Sequence, residues 1–145
     1  MWRALGFLLI AIAATASATE VRSVRVRTGA DYTRATIDLS DAPDYRVFTL
    51  ADPDRLVVDV RRGQLRSSID GNGRGLVKSV RSGQPEADRL RIVFDLNEPV
   101  RPKSFVLDPA GRFRHRLVID MAPATTAAPA RIAQSATASE MREVI

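Results

Sequence analysis

The chain has no cysteine and a single histidine, His115, among its 145 residues. Without thiols there is no disulfide scaffold, cysteine zinc cluster or thiol nucleophile, and one imidazole excludes any site that needs two. Charge is only mildly one-sided, with 22 Lys plus Arg against 17 Asp plus Glu and a net charge of +5. No run of Lys or Arg is interleaved with aromatics, so nucleic acid is not an expected partner. Long apolar runs are absent except for residues 4–14, ALGFLLIAIAA. That run falls short of the about 20 residues a bilayer-spanning helix needs. What remains, 45% apolar and 27% charged residues, is the balance of one globular domain with a packed core.

The single apolar run follows Met1, Trp2 and Arg3 and is followed by Thr15, Ala16, Ser17 and Ala18. A positive start, a short apolar segment and small residues at the exit describe a secretory signal over residues 1–18, cut after Ala18. The mature chain is then expected outside the cytoplasm with no membrane span. At the other end, residues 123–139 are almost entirely Ala, Thr, Ser, Pro and similar small or polar residues, with Arg131 the one charge before Glu140. No face of such a segment buries enough to order it, so it reads as a flexible linker. Residues 140–145, EMREVI, resume apolar character and stop, as the start of a further domain would.

Between signal and linker the apolar period is two. Ala35, Ile37 and Leu39, then Leu56, Val58 and Val60, then Leu90, Ile92, Phe94 and Leu96, then Leu117, Ile119 and Met121 alternate with polar neighbours. These are half-buried strands. Pro, Gly, Asn and Asp punctuate the gaps, and no sustained helical stripe occurs. The pattern also repeats: Val21-Arg-Ser-Val-Arg matches Val77-Lys-Ser-Val-Arg, Ile37-Asp-Leu matches Phe94-Asp-Leu, Phe48 and Leu50 match Phe105 and Leu107, and Arg55-Leu-Val-Val-Asp matches Arg116-Leu-Val-Ile-Asp. The class is all-β, with repeat halves at about 21–61 and 76–121 and roughly four strands in each. A half with one apolar face cannot stay folded alone, so two antiparallel sheets packed face to face, a β-sandwich over residues 19–122, are expected.

Four strands carry an Arg followed four residues later by an Asp on the polar face: Arg34 and Asp38, Arg55 and Asp59, Arg91 and Asp95, Arg116 and Asp120. Within a strand these lie roughly 13 Å apart and cannot pair. Antiparallel neighbours can exchange them, and pairing inside each half would join Arg34 to Asp59, Arg55 to Asp38, Arg91 to Asp120 and Arg116 to Asp95. A simple meander would instead separate those strands. Two readings stand: register-setting ion pairs on a solvated face, or a ligand-binding face in which Arg34, Arg55, Arg91 and Arg116, with Asp59 and Asp120, hold an anionic or sugar-like ligand through guanidinium contacts. His115 is in phase with Leu117 and Ile119 and reads as a structural histidine at the core's edge. Residues 71–75, GNGRG, lack the ending and the following helix of a phosphate loop and read as a flexible connection between the halves. No acids are spaced as a glycosidase pair, and no catalytic constellation assembles.

The export signal, the duplicated strands and the linker together resemble the AMIN domain of bacterial cell-wall amidases, most specifically at residues 52–59, DPDRLVVD. The resemblance covers about residues 21–121. It implies a periplasmic sandwich of two four-stranded sheets that targets an N-acetylmuramoyl-L-alanine amidase to peptidoglycan at the division septum, for cell-wall cleavage and daughter-cell separation. It implies peptidoglycan as partner and divisome proteins as further partners. Residues 142–145, REVI, are similar to the first strand of the zinc-dependent amidase domain. Zinc and the catalytic residues would then belong to that following domain, and this chain would hold no cofactor and no hydrolase activity. The same resemblance admits a module of a pilus or secretin assembly protein, and a free-standing sandwich that binds protein partners at an edge strand.

Overall fold

Period-two alternation is satisfied only if one face of every strand meets another apolar face, and the computed structural model shows how this chain arranges that. It describes residues 17–124, and residues 134–137 as backbone. Residues 1–16 of the stretch read as an export signal, residues 125–133 of the stretch read as a linker, and residues 138–145 lie outside the described residues. The strands are β1 (Thr19–Thr28), β2 (Thr33–Leu39), β3 (Asp44–Leu50), β4 (Arg55–Arg61), β5 (Gly63–Leu65), β6 (Asn72–Arg74), β7 (Val77–Glu86), β8 (Arg89–Leu96), β9 (Val100–Leu107), β10 (His115–Pro123) and β11 (Gln134–Thr137). All eight strands expected from the sequence are present. Among the described residues no helix is long and apolar enough to cross a membrane.

The first sheet runs β5-β1-β2-β10-β9 and the second β11-β3-β4-β8-β7-β6. Pairing is antiparallel except between β1 and β5, where Thr19, Glu20 and Val21 run parallel to Gly63, Gln64 and Leu65. The sheets are therefore not the two halves of the repeat. Each sheet takes one hairpin from each half: β1–β2 joins β9–β10, and β3–β4 joins β7–β8. The repeat carries β1, β2, β3 and β4 onto β7, β8, β9 and β10, so it exchanges one sheet with the other. Chain connectivity gives the reason, because the short turn after Leu39 passes to the opposite sheet instead of returning beside β2.

Inward positions are those the alternation marks. Ala35, Ile37, Leu39, Leu56, Val58, Val60, Ile92, Phe94, Leu117, Ile119 and Met121 are fully buried in one cluster between the sheets. Full burial of each larger aliphatic side chain contributes about 1.5–3 kcal/mol, which is why the two sheets stay together. Tyr45 of β3 is also buried and is hydrogen-bonded to Ser104 of β9; burial pushes its phenol above the ordinary tyrosine range, and that bond opposes the shift.

Residues 71–75 are not a slack connection. Asn72 and Arg74 pair with Ser79 and Val77, the Leu76 amide donates to Thr33 Oγ1 at 3.1 Å, and Asn97 Nδ2 donates to the Gly75 carbonyl at 3.0 Å. Gln134–Thr137, within the stretch read as a linker, pairs antiparallel with β3, Gln134 opposite Val47 and Thr137 opposite Asp44.

Candidate functional sites on the two outer faces

The outward positions of β2, β4, β8 and β10 form the middle of each outer face. In the first sheet Arg34 stands opposite Asp120 and Asp38 opposite Arg116. In the second Asp59 stands opposite Arg91 and Arg55 opposite Asp95. The expected pairing inside each half is thereby replaced by pairing between halves, because the neighbour of β2 is β10 and that of β4 is β8. The repeat maps one arrangement onto the other.

Arg34 donates from Nε and Nη2 to the two oxygens of Asp120 at 2.6 and 2.8 Å. Arg91 does the same to Asp59 at 2.7 and 2.8 Å. Two parallel charge-assisted bonds fix the planes of both groups. They also hold both guanidinium groups above the ordinary arginine range, the hydrogen-bonded carboxylate being the main cause in each case and burial opposing it. Asp38 and Asp95 are engaged from the flanking strand. Ser23 Oγ and Arg25 Nη2 donate to Asp38. Ser79 Oγ and Arg81 Nε and Nη2 donate to Asp95 at 2.9, 3.0 and 3.2 Å. Arg81 lowers the Asp95 carboxyl below the usual aspartate range, burial opposes this and Ser79 adds to it.

The six sequence-derived residues thus divide into two groups. Arg34, Asp120, Arg91 and Asp59 are closed on each other. Arg55 and Arg116, equivalent in the repeat, have no carboxylate within ion-pair distance among the described residues. Arg55 Nε donates to the Pro53 carbonyl at 3.1 Å. The Arg116 guanidinium lies 4.6 Å over the Phe113 ring, and its buried Nε has no hydrogen-bond partner among the described residues.

Aromatic and aliphatic residues beneath and beside these cations escaped the sequence reading as site residues. Val118 faces outward yet is buried, opposite Phe105; Val57 is buried in the same way opposite Phe48. Arg34 lies 5.9 Å over Phe105, and Arg91 lies 5.8 Å over Phe48. The matched positions of Phe48 and Phe105 in the repeat were the signal for them. The faces also differ. Beside Asp59 a cleft of about 360 Å³ is lined by Asp44, Arg46, Arg61, Asp88 and Arg89.

His115 sits opposite Leu39 at the edge of the core, partly buried, with its Nδ1 buried and without a partner among the described residues. Among the described residues no three His, Cys, Asp or Glu side chains are grouped to hold a metal ion. The groups that the outer faces offer are guanidinium, carboxylate and arene.

This chain matches the AMIN domain family over residues 17–126. It is 33% identical over 126 residues to N-acetylmuramoyl-L-alanine amidase AmiC of Neisseria meningitidis serogroup B, covering 83% of this chain and 30% of that protein. It is 34% identical over 127 residues to N-acetylmuramoyl-L-alanine amidase AmiC of Escherichia coli O6:H1, again covering 83% of this chain and 30% of the relative. The chain thus spans about a third of the length of these curated relatives. With a family match across the whole sandwich and two relatives above 30% identity, the chain belongs to the AMIN domain family.

Proposed function

We propose that this chain is the wall-targeting module of a periplasmic N-acetylmuramoyl-L-alanine amidase, exported with removal of residues 1–18, and that it binds peptidoglycan at the division septum. The catalytic work, activation of water by zinc at the amide between the lactyl group and L-alanine, belongs to a separate domain of the parent enzyme. Divisome proteins are the further partners in this reading. The observation that carries it is the pair of repeat-related arginines, Arg55 and Arg116, which among the described residues have no carboxylate within ion-pair distance, on faces whose other central charges are neutralised. Peptidoglycan offers carboxylates and sugar hydroxyls, the groups a guanidinium binds through paired N–H donors. Support also comes from the family match and from relatives named as amidases.

Co-sedimentation of the purified chain with sacculi at moderate salt tests the proposal. Saturable binding is expected, weakened about tenfold or more in Arg55→Ala/Arg116→Ala at about 1–3 kcal/mol per lost charged hydrogen bond. A folded double variant that binds as wild type would remove the outer arginines as the site. A wild-type chain that does not bind sacculi would remove wall binding itself.

A further inference from the structure

The two outer faces share their charged centre and part company in their arenes. Four large apolar side chains are exposed among the described residues, and three of them, Tyr32, Leu107 and Phe113, border the first sheet, against Leu50 alone on the second. On the second sheet the ring of Phe48 lies under Arg46 at 4.9 Å and Arg91 at 5.8 Å and is half-buried, whereas Phe113 of the first sheet, flanked by Arg112 at 5.1 Å and Arg116 at 4.6 Å, stays exposed. Around the first sheet, arenes and guanidinium groups alternate along β10. Phe113 lies under Arg116 at 4.6 Å, then comes Phe105 under Arg34 at 5.9 Å, then Tyr32, 5.3 Å from the same Arg34. From Phe113 to the level of Tyr32 is roughly 30 Å at about 3.3 Å per residue.

Both end rings are held by their turns. Ala110 and Phe113 exchange backbone hydrogen bonds of 3.0 and 2.9 Å around Gly111, whose φ of 55° only glycine adopts freely. That turn occupies residues 108–114, whereas the matching turn between β3 and β4 has only residues 51–54. Phe113 thus stands in an extension that the first half lacks. Tyr32 lies across Gly29, where a Cβ would come within 2.7 Å of its Cζ. Its repeat counterpart on the second sheet is Arg89, which is spent on Asp59 and Glu86.

We propose that the outer face of the first sheet is the glycan face of this module, and that its ligand is the acidic sugar strand itself rather than the attached peptides. The assignment rests on the wall-binding reading above and names the face and the part of the polymer it holds. Sugar rings present apolar C–H faces that stack on Phe113, Phe105 and Tyr32, as the quadrupole of an arene favours. A guanidinium held over an arene, as Arg116 is over Phe113 at 4.6 Å, can still offer its terminal N–H groups to a carboxylate. Muramic acid stripped of its peptide bears such a carboxylate on alternate sugars, a partner for Arg116, while Arg34, closed on Asp120, backs the rings of Phe105 and Tyr32.

The test uses the full chain on two probes, intact sacculi and glycan strands freed of their peptides. Tyr32→Ala/Phe113→Ala removes two exposed rings that support no core packing, and thermal unfolding confirms that it stays folded. This variant is expected to bind both probes about tenfold more weakly, from two lost stacking contacts. Arg46→Ala/Leu50→Ala on the other face is expected to bind within about twofold of wild type. The inference is overturned if the first variant binds as wild type, if the second loses as much, or if binding disappears on peptide-free strands. A wild type that fails on intact sacculi brings down the wall-binding reading, so the two failures are distinct.

Discussion

The pairs Arg34–Asp120 and Arg91–Asp59 occupy equivalent places on the two sheets and have nearly the same geometry, yet they are not equivalent in setting. The Asp59 side chain is 8% exposed and also faces Arg89 at 3.8 Å, whereas Asp120 is 24% exposed and among the described residues is ion-paired with Arg34 alone. The difference traces to one repeat position. The second half places Arg89 where the first half has Tyr32, so the same scaffold site makes a second ion pair on one face and an exposed ring on the other. A duplicated fold can thus keep its register-setting centre on both sheets while their rims diverge.

The comparison breaks first at the core, where the largest effects fall. Phe94 and its counterpart Ile37 are both fully buried, so Phe94→Ala is expected to cost about 4 kcal/mol and Ile37→Ala about 3 kcal/mol in denaturant unfolding. A cost confined to one of them would mean that the two sheets do not form one cooperative unit. Next come the carboxylates. Asp59→Ala leaves two guanidinium groups over a buried site and is expected to cost about 3 kcal/mol. Asp120→Ala, at a more exposed pair, is expected to cost about 1 kcal/mol. Equal losses would show that the difference in burial has no energetic consequence.

The strands, their inward residues and the duplication were legible because each is written locally, in alternation and in matching tetrapeptides. Sheet partnership was not. All four central strands carry Arg and Asp at the same spacing, so Arg34 finds an antiparallel carboxylate equally well at Asp59 or at Asp120. Only the path of the chain after Leu39 decides between them, and that is a non-local fact. The arenes divide the same way. Phe48 and Phe105 were visible as repeat partners, but Tyr32 and Phe113 stand in turns, where a period-two reading says nothing about which way a ring points. The grouping of Arg116 with Phe113 depends on the turn at Gly111, whose conformation the spacing alone does not specify.

A smaller effect sharpens the comparison at the flanks, where Arg81 grips Asp95 with two bonds and Arg25 gives Asp38 one. The folded chain holds the Asp95 carboxyl below its ordinary range, chiefly through Arg81. The unfolded chain therefore takes up that proton at the higher pH. The resulting stabilisation is fully present above the ordinary aspartate pKa of about 4 and is lost as pH falls through the lower folded value. Arg81→Gln removes the main cause of the shift while leaving Ser79 in place. Its stability is expected to fall short of wild type at neutral pH and to converge on it as the pH falls through the lowered folded value, where the carboxylate becomes protonated in both proteins. Urea midpoints measured from pH 7 down to pH 2 read this directly. A deficit that stayed constant across that range would mean that Arg81 acts by packing over the sheet rather than by its charge on Asp95.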